Sequence, residues 1–303
     1  MRNLKTYIAI TFSMIFWSVS FIWTRVAIES YPPVTLVSLR LIIASILLFA
    51  ISILSGQFQK IRKEDLKWFV LLAFFEPFMY YIGETYGLTM VESTLASVIV
   101  STIPLFAPVF AYFLVREKIG WMNITGILVS LMGVFLVIYE PVGGFTTNPF
   151  GVALLFLAVF SAICYTTTLR KIPAHYSTVN VILYQSLIGL GFFIPTFFVT
   201  DFSSIHSIHV SSQAIGALFM LAVFASVIAF VLFAGVVRKI GVAKTNVFVN
   251  LIPVFTAIFA WWFLDESLTW LKILGILIVV SGLFVSQLSN MKFKFKQIRG
   301  PQY

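Results

Sequence analysis

The chain is 303 residues long, 60% hydrophobic and only 10% charged. A soluble domain carries about 25% charged residues, so an ordinary soluble fold is excluded and an all-α membrane protein is expected. The net charge of +9 is spread over several short segments with no RNA-binding motif beside them, which argues against a nucleic-acid partner.

A helical span needs roughly 20 apolar residues at ~1.5 Å rise each to cross a hydrocarbon core of ~30 Å. Ten stretches qualify: 7–28, 34–54, 68–88, 94–115, 122–139, 150–169, 178–199, 214–237, 245–264 and 270–288. Lys5 leads into the first with no small-residue cleavage site, so that span is expected to stay uncleaved. It holds Trp17 and Arg25, and the second, after the paired Pro32 and Pro33, holds Arg40. In the third, Glu76, Tyr80 and Glu84 follow at i, i+4 and i+8 and form one polar stripe, with Gly83 and Gly87 close by. Glu76 stands roughly 12 Å into the core, near the midplane, and Pro77 after it predicts a kink there.

Ionisable groups at such depth cost at least ~2.5 kcal/mol on insertion scales, so they face protein or water and either pair or work. Arg40 lies at a depth similar to that of Glu84, which makes an ion pair between them one expectation. No basic residue lies at the depth of Glu76, so its carboxyl is expected to be neutral by protonation rather than ion-paired. That makes Glu76 a candidate for proton coupling, with a structural or substrate-contact role as the alternative.

In the fourth stretch Ser97 and Ser101 precede Pro104, and in the ninth Asn246 and Asn250 precede Pro253 at the same spacing. The three prolines Pro77, Pro104 and Pro253 are the expected kink points. The four polar residues are candidates to line a central cavity, with interhelical hydrogen bonding, worth ~0.6–2 kcal/mol a contact, as the alternative. Trp17, Tyr165 and Tyr184 are candidates to offer ring faces to a substrate, against plain packing or lipid contact. Gln185, in the seventh stretch, falls on Arg40 at an offset of 145.

Residues 97–137 align without a gap on 246–286 at an offset of 149, with 15 of 41 positions identical, among them Pro104/Pro253, Trp121/Trp270, Gly126/Gly275 and Gly133/Gly282. The loop inside this repeat reverses its charge: Arg116, Glu117 and Lys118 in one copy, Asp265, Glu266 and Ser267 in the other. Copies that cross the membrane in opposite directions need such a reversal, because Lys and Arg stay on the cytoplasmic side. Five spans per copy is odd, so ten transmembrane helices in two inverted five-helix repeats, 1–145 and 146–290, are expected, with a basic tail over 291–303. With a cytoplasmic N-terminus, 17 of the 20 basic residues fall inside, and the outer loops hold Glu29, Glu92, Glu140, Asp201, Asp265 and Glu266 without Lys or Arg. Both termini are therefore expected in the cytoplasm, with the tail against anionic headgroups of the lipid bilayer.

Other signals are weak. Cys164 is the single cysteine, so a disulfide within a monomer is excluded. His206 and His209 lack a third ligand nearby, which argues against a metal. No cofactor is expected, since there is no phosphate loop, zinc-protease helix or nucleophile elbow. Gly83 and Gly87 fit small-xxx-small packing inside the monomer and say little about a dimer.

The stretches IPLFAPVFAYFLVREKIGWMNITGILVSLMGVFLVIY and IPVFTAIFAWWFLDESLTWLKILGILIVVSGLFVSQ, together with FWSVSFIWTRVAIESYPPVTLVSLRLIIASILL, resemble the EamA-type transporters of the drug/metabolite transporter superfamily. The resemblance covers nearly the whole chain. It implies a ten-helix bundle with a central cavity, alternating access, and small organic solutes moved across the cell membrane, often outward. The expectation is thus a secondary transporter exporting a small metabolite, amino acid-like or amphiphilic. A facilitative exchanger without proton coupling is the first alternative, and a membrane-embedded lipid-modifying enzyme a remote one.

Overall fold

The computed structural model describes residues 2–115, 120–140, 144–145, 147–207, 210–241, 245 and 247–298. The charge-reversed loop at 116–118, His209, Lys244, Asn246 and the end of the tail from Arg299 lie outside the described residues.

In lipid every backbone N–H and C=O must be satisfied within its own segment, so the apolar stretches fold as helices. These are α1 (Arg2–Ile28), α2 (Pro33–Leu54), α3 (Leu66–Ala73), α4 (Tyr80–Leu88), α5 (Ser93–Val100), α6 (Ile103–Val115), α7 (Trp121–Ile138), α8 (Pro149–Leu169), α9 (Thr178–Thr200), α10 (Ser212–Met220), α11 (Phe230–Ile240), α12 (Leu251–Phe263) and α13 (Trp270–Ile298). Segments of π-helix, Phe74–Met79 and Leu221–Ala229, join α3 to α4 and α10 to α11, and a 3-10 turn over Val247–Asn250 leads into α12. Among the described residues, seven helical runs are long and apolar enough to cross a bilayer: Leu4–Ile28, Pro33–Leu54, Leu66–Leu88, Trp121–Ile138, Pro149–Leu169, Thr178–Thr200 and Ser212–Val237. Three shorter apolar helices, Ser93–Ala107, Val247–Phe263 and Trp270–Ser286, accompany them.

Two local departures from the expected helices have sequence causes. The stretch 94–115 is broken between α5 and α6, where Pro104 has no N–H to offer the Val100 carbonyl. After α7 a two-residue antiparallel ladder pairs β1 (Tyr139–Glu140) with β2 (Gly144–Phe145), where the chain turns rich in Pro and Gly.

The side-chain distribution is that of a bundle in lipid. Ser13, Ser18, Ser97, Ser101, Thr102 and Ser130 are fully buried, while Leu54, Trp121, Val199, Trp262 and Trp270 are largely exposed. Small polar residues let backbones approach, and large apolar and aromatic ones meet chains and headgroups. The most extensive contact is between α7 and α13; α2 packs on α9, α4 on α8, α1 on α10 and α12, and α5 on α12. Glycine lines the α7/α13 seam: a Cβ on Gly126 would stand 2.7 Å from the Gly282 carbonyl, and one on Gly133 2.6 Å from that of Gly275. Numbers rise along one helix as they fall along the other, so the two run antiparallel at backbone contact.

Two helix starts are closed by distant carboxylates. Asp201 accepts from the Thr35 N–H (2.7 Å) and hydroxyl (2.9 Å) at the start of α2. Glu266 accepts from the Ser93 N–H (2.7 Å), the Thr94 N–H (3.1 Å) and the Thr94 hydroxyl (2.7 Å) at the start of α5. Each satisfies N–H groups that have no partner in their own helix and meets the positive end of the helix dipole.

Candidate functional site

The site is built around the break between α3 and α4. Pro77 cannot donate to the helical ladder, and Glu76 before it leaves the helical region at φ −143° and ψ 119°. The Glu76–Pro77 peptide is cis. Two neighbouring helices hold this break. Ser161 of α8 donates to the Phe75 carbonyl at 2.6 Å, and the Pro77 ring occupies the place where a Cβ on Gly189 of α9 would stand. The expected polar stripe is regular only above the break, where Tyr80 donates to Glu84 Oε1 at 3.1 Å.

Around the break a charged cluster gathers from five helical runs. Arg40, Glu76 and Glu84 are 4%, 7% and 6% exposed, so none of the three is solvated by bulk water. Arg40 Nε donates to Ser226 Oγ at 2.6 Å, and its guanidinium lies 4.3 Å from the Tyr81 ring centre. Ser226 also reaches the Tyr81 hydroxyl. On the other side the Tyr165 hydroxyl bonds the Gln185 side chain, whose buried Oε1 has no hydrogen-bond partner among the described residues.

This geometry corrects one expectation. Among the described residues the ion pairs are Arg62–Glu64 and Lys272–Glu92, so Arg40 and Glu84 are not in contact as a pair. Arg40 instead donates through Nε to Ser226 and lies over the Tyr81 ring. Arg40 lies within electrostatic range of both Glu76 and Glu84. With both carboxyls ionised the cluster carries an excess negative charge, and one proton, or one cationic group of a ligand, neutralises it.

The profile of the EamA-like transporter family matches residues 4–139 and 149–288. The chain belongs to the EamA-like transporter family. With seven long apolar helices among the described residues it is a multi-pass membrane protein of transporter type. Among its relatives, an uncharacterized transporter of Archaeoglobus fulgidus is 26% identical over 93% of this chain and 98% of that one. The uncharacterized transporter YetK of Bacillus subtilis is 26% identical over 94% of this chain and 87% of its own. A probable amino-acid metabolite efflux pump of Escherichia coli is 23% identical over 90% of this chain and 91% of its own. One solved crystal structure superposes with a TM-score of 0.67 at 17% identity, covering 95% of this chain and 98% of that one, which shows a shared fold.

In this EamA-family protein the remaining sequence candidates are placed by other contacts. Ser97 and Ser101 are fully buried, and each hydroxyl donates to a carbonyl three residues back, Thr94 at 2.8 Å and Val98 at 2.7 Å. Each hydroxyl thus donates to its own preceding turn. Trp17 Nε1 donates to the Ala225 carbonyl at 3.3 Å, and its ring packs on Phe230 and Phe233. Tyr184, next to Gln185 on α9, has its ring tilted against Phe58 and edge-on to Phe69, beside the loop between α2 and α3. Asn250 is buried at the end of the 3-10 turn before α12, and Pro253 lies one turn into that helix. Arg25 reaches the Leu88 carbonyl at 2.5 Å.

Sequence reasoning missed Ser226, Tyr81 and Ser161. Ser226 had a signal: it is the one polar residue in the apolar run over 221–235.

Proposed function

We propose that this protein is a secondary transporter that exports a small amino acid-like or amphiphilic metabolite by alternating access, with Glu76 as the proton-coupling residue. In this reading ten spans form two inverted five-helix halves, 1–145 and 146–290. Both termini are cytoplasmic and the tail at 291–303 lies against lipid headgroups.

Several observations support it. The family profile matches one segment in each half. Helices α7 and α13 carry equivalent sequence and run antiparallel, as inversion requires. The contact of α4 with α8, third stretch on sixth, has its counterpart in α10 with α1, eighth on first. The two π segments fall in the third and eighth stretches. The Escherichia coli relative is named as an efflux pump for amino-acid metabolites, which favours outward movement of that solute class. No ATP-binding motif occurs in the sequence, so energy comes from gradients.

The observation that carries the proposal is the buried cluster itself. It takes Arg40, Glu76, Tyr81 and Glu84 from one half and Tyr165, Gln185 and Ser226 from the other, beside a broken helix, which is where transporters of this architecture bind solute.

The test is transport in proteoliposomes with labelled amino acids and derivatives, under an imposed pH gradient that is then collapsed by an ionophore. Wild type accumulates solute with the gradient. Glu76→Gln keeps exchange of labelled for unlabelled solute and loses accumulation. An unchanged gradient response in the mutant removes Glu76 as the coupling site, and exchange in wild type without any pH dependence identifies a facilitative exchanger.

A further inference from the structure

A cavity of about 220 Å³ lies away from the Arg40 cluster, at the end of the bundle where Glu266 closes α5. Its wall includes Lys272, Glu92 and Thr147 among apolar Val91, Leu95 and Ile138. Sites for drug-sized ligands run to ~300–1,000 Å³, so this volume suits a smaller solute. Lys272, in the first turn of α13, donates to Glu92 Oε2 at 2.6 Å. The lysine side chain is 5% exposed and that of Glu92 43%.

An ammonium has three donors, and among the described residues this one donates to Glu92 alone. Burying a lysine is unfavourable unless its donors are satisfied, so the cavity wall holds a cation with unused donors beside a carboxylate with an oxygen to spare. The packing of the bundle does not require this. At the offset of 149, Lys272 corresponds to Asn123 and Glu92 to Gly241, so the charge pair belongs to one end of the molecule only.

We propose that this cavity is a second binding site, selective for a zwitterion. The anionic group of the ligand takes the free donors of Lys272, its primary ammonium takes the spare oxygen of Glu92, and a short apolar side chain lies against Val91, Leu95 and Ile138. The ion pair then opens around the ligand without leaving either charge unpaired. Two sources carry this chemistry: a free amino acid-like solute and the headgroup of phosphatidylethanolamine. The site depends on the transport reading only for how a solute reaches it.

The test reads occupancy locally. In a Cys164→Ser chain, Thr147→Cys places a thiol in the cavity wall, and its labelling rate by a charged thiol reagent is followed in phosphatidylcholine nanodiscs. Leucine slows labelling about tenfold when it stands about tenfold above its Kd. Its half-analogues, 4-methylpentanoate and 3-methylbutylamine, protect far less at the same concentration. Lys272→Met abolishes the protection; if that variant fails to fold, Glu92→Gln serves, shifting protection from leucine toward 4-methylpentanoate. In phosphatidylethanolamine nanodiscs, slow labelling before any solute is added identifies the headgroup as occupant, and equal basal rates in the two lipids together with protection by leucine identify the free solute. No protection by leucine together with equal rates in both lipids overturns the site, as does protection that survives Lys272→Met. The readout needs no gradient, so a chain that is protected by leucine but does not move it leaves this site standing and removes only the transport reading.

Discussion

Replacing Arg40 with methionine removes the cation in electrostatic range of Glu76 and Glu84 while keeping most of the apolar stem, so little cavity is left behind. Two direct contacts disappear. The charge-assisted hydrogen bond to Ser226, 2.6 Å long, is worth about 1.5–3 kcal/mol. The guanidinium stacked 4.3 Å from the Tyr81 ring centre adds about 2 kcal/mol at a desolvated site. The expected loss is therefore about 3–5 kcal/mol, in the range seen when one partner of a buried charged group is removed. Unfolding in mixed detergent micelles of rising SDS content, followed by tryptophan fluorescence, measures it. Arg40→Lys keeps the charge but has neither the Nε donor nor the planar face, and should lose about 1–3 kcal/mol. The decisive comparison is Arg40→Met with Glu84→Gln. Removing a carboxyl should offset part of the loss of the cation, giving a coupling of at least about 1 kcal/mol. A loss below about 1 kcal/mol for Arg40→Met, or strict additivity in the double mutant, refutes the view that Arg40 balances the two carboxyls.

Three further outcomes are expected. Gly133→Val drives a side chain into the Gly275 carbonyl and the Val279 backbone, so it should lose about 1–3 kcal/mol or more by overpacking, seen as a lower melting temperature in detergent. Gly216→Ala, where a Cβ meets nothing within 4 Å, should be neutral or stabilising by up to about 1 kcal/mol; similar behaviour of the two variants would contradict the seam. Asp201→Ala removes both hydrogen bonds to Thr35 and should cost about 1–3 kcal/mol, read in the same melting assay.

The apolar helical stretches and the kink were legible in the sequence because each rests on a local signal, and the equivalence of α7 and α13 because it rests on a repeated one. A run of apolar residues, a proline after Glu76 and a 149-residue offset need no knowledge of neighbours. The composition of the cluster was legible only in part. Arg40, Glu76, Glu84, Tyr165 and Gln185 stand out as polar residues in apolar stretches. Their partners are set by rotation of one helix against another, which hydropathy does not encode. Depth alone made Glu84 the partner of Arg40, whereas the approach of α2 to the π segment in Leu221–Ala229 delivers Ser226 instead. The local bonds of Ser97 and Ser101 were not legible either: a hydroxyl on a helix can turn to the carbonyl of its own preceding turn, an option the amides of Asn246 and Asn250 do not have as readily.

The glycine contacts between α7 and α13 also bear on what the membrane holds back. Where an added methyl would strike a carbonyl on the facing helix, there is no file of water and no route for a stray ion. A carrier that works against a gradient has to be insulated along every line its cargo does not use, or the gradient drains as fast as it is spent. Along this line insulation comes from backbone set against backbone, and it holds in every state in which the two helices stay together.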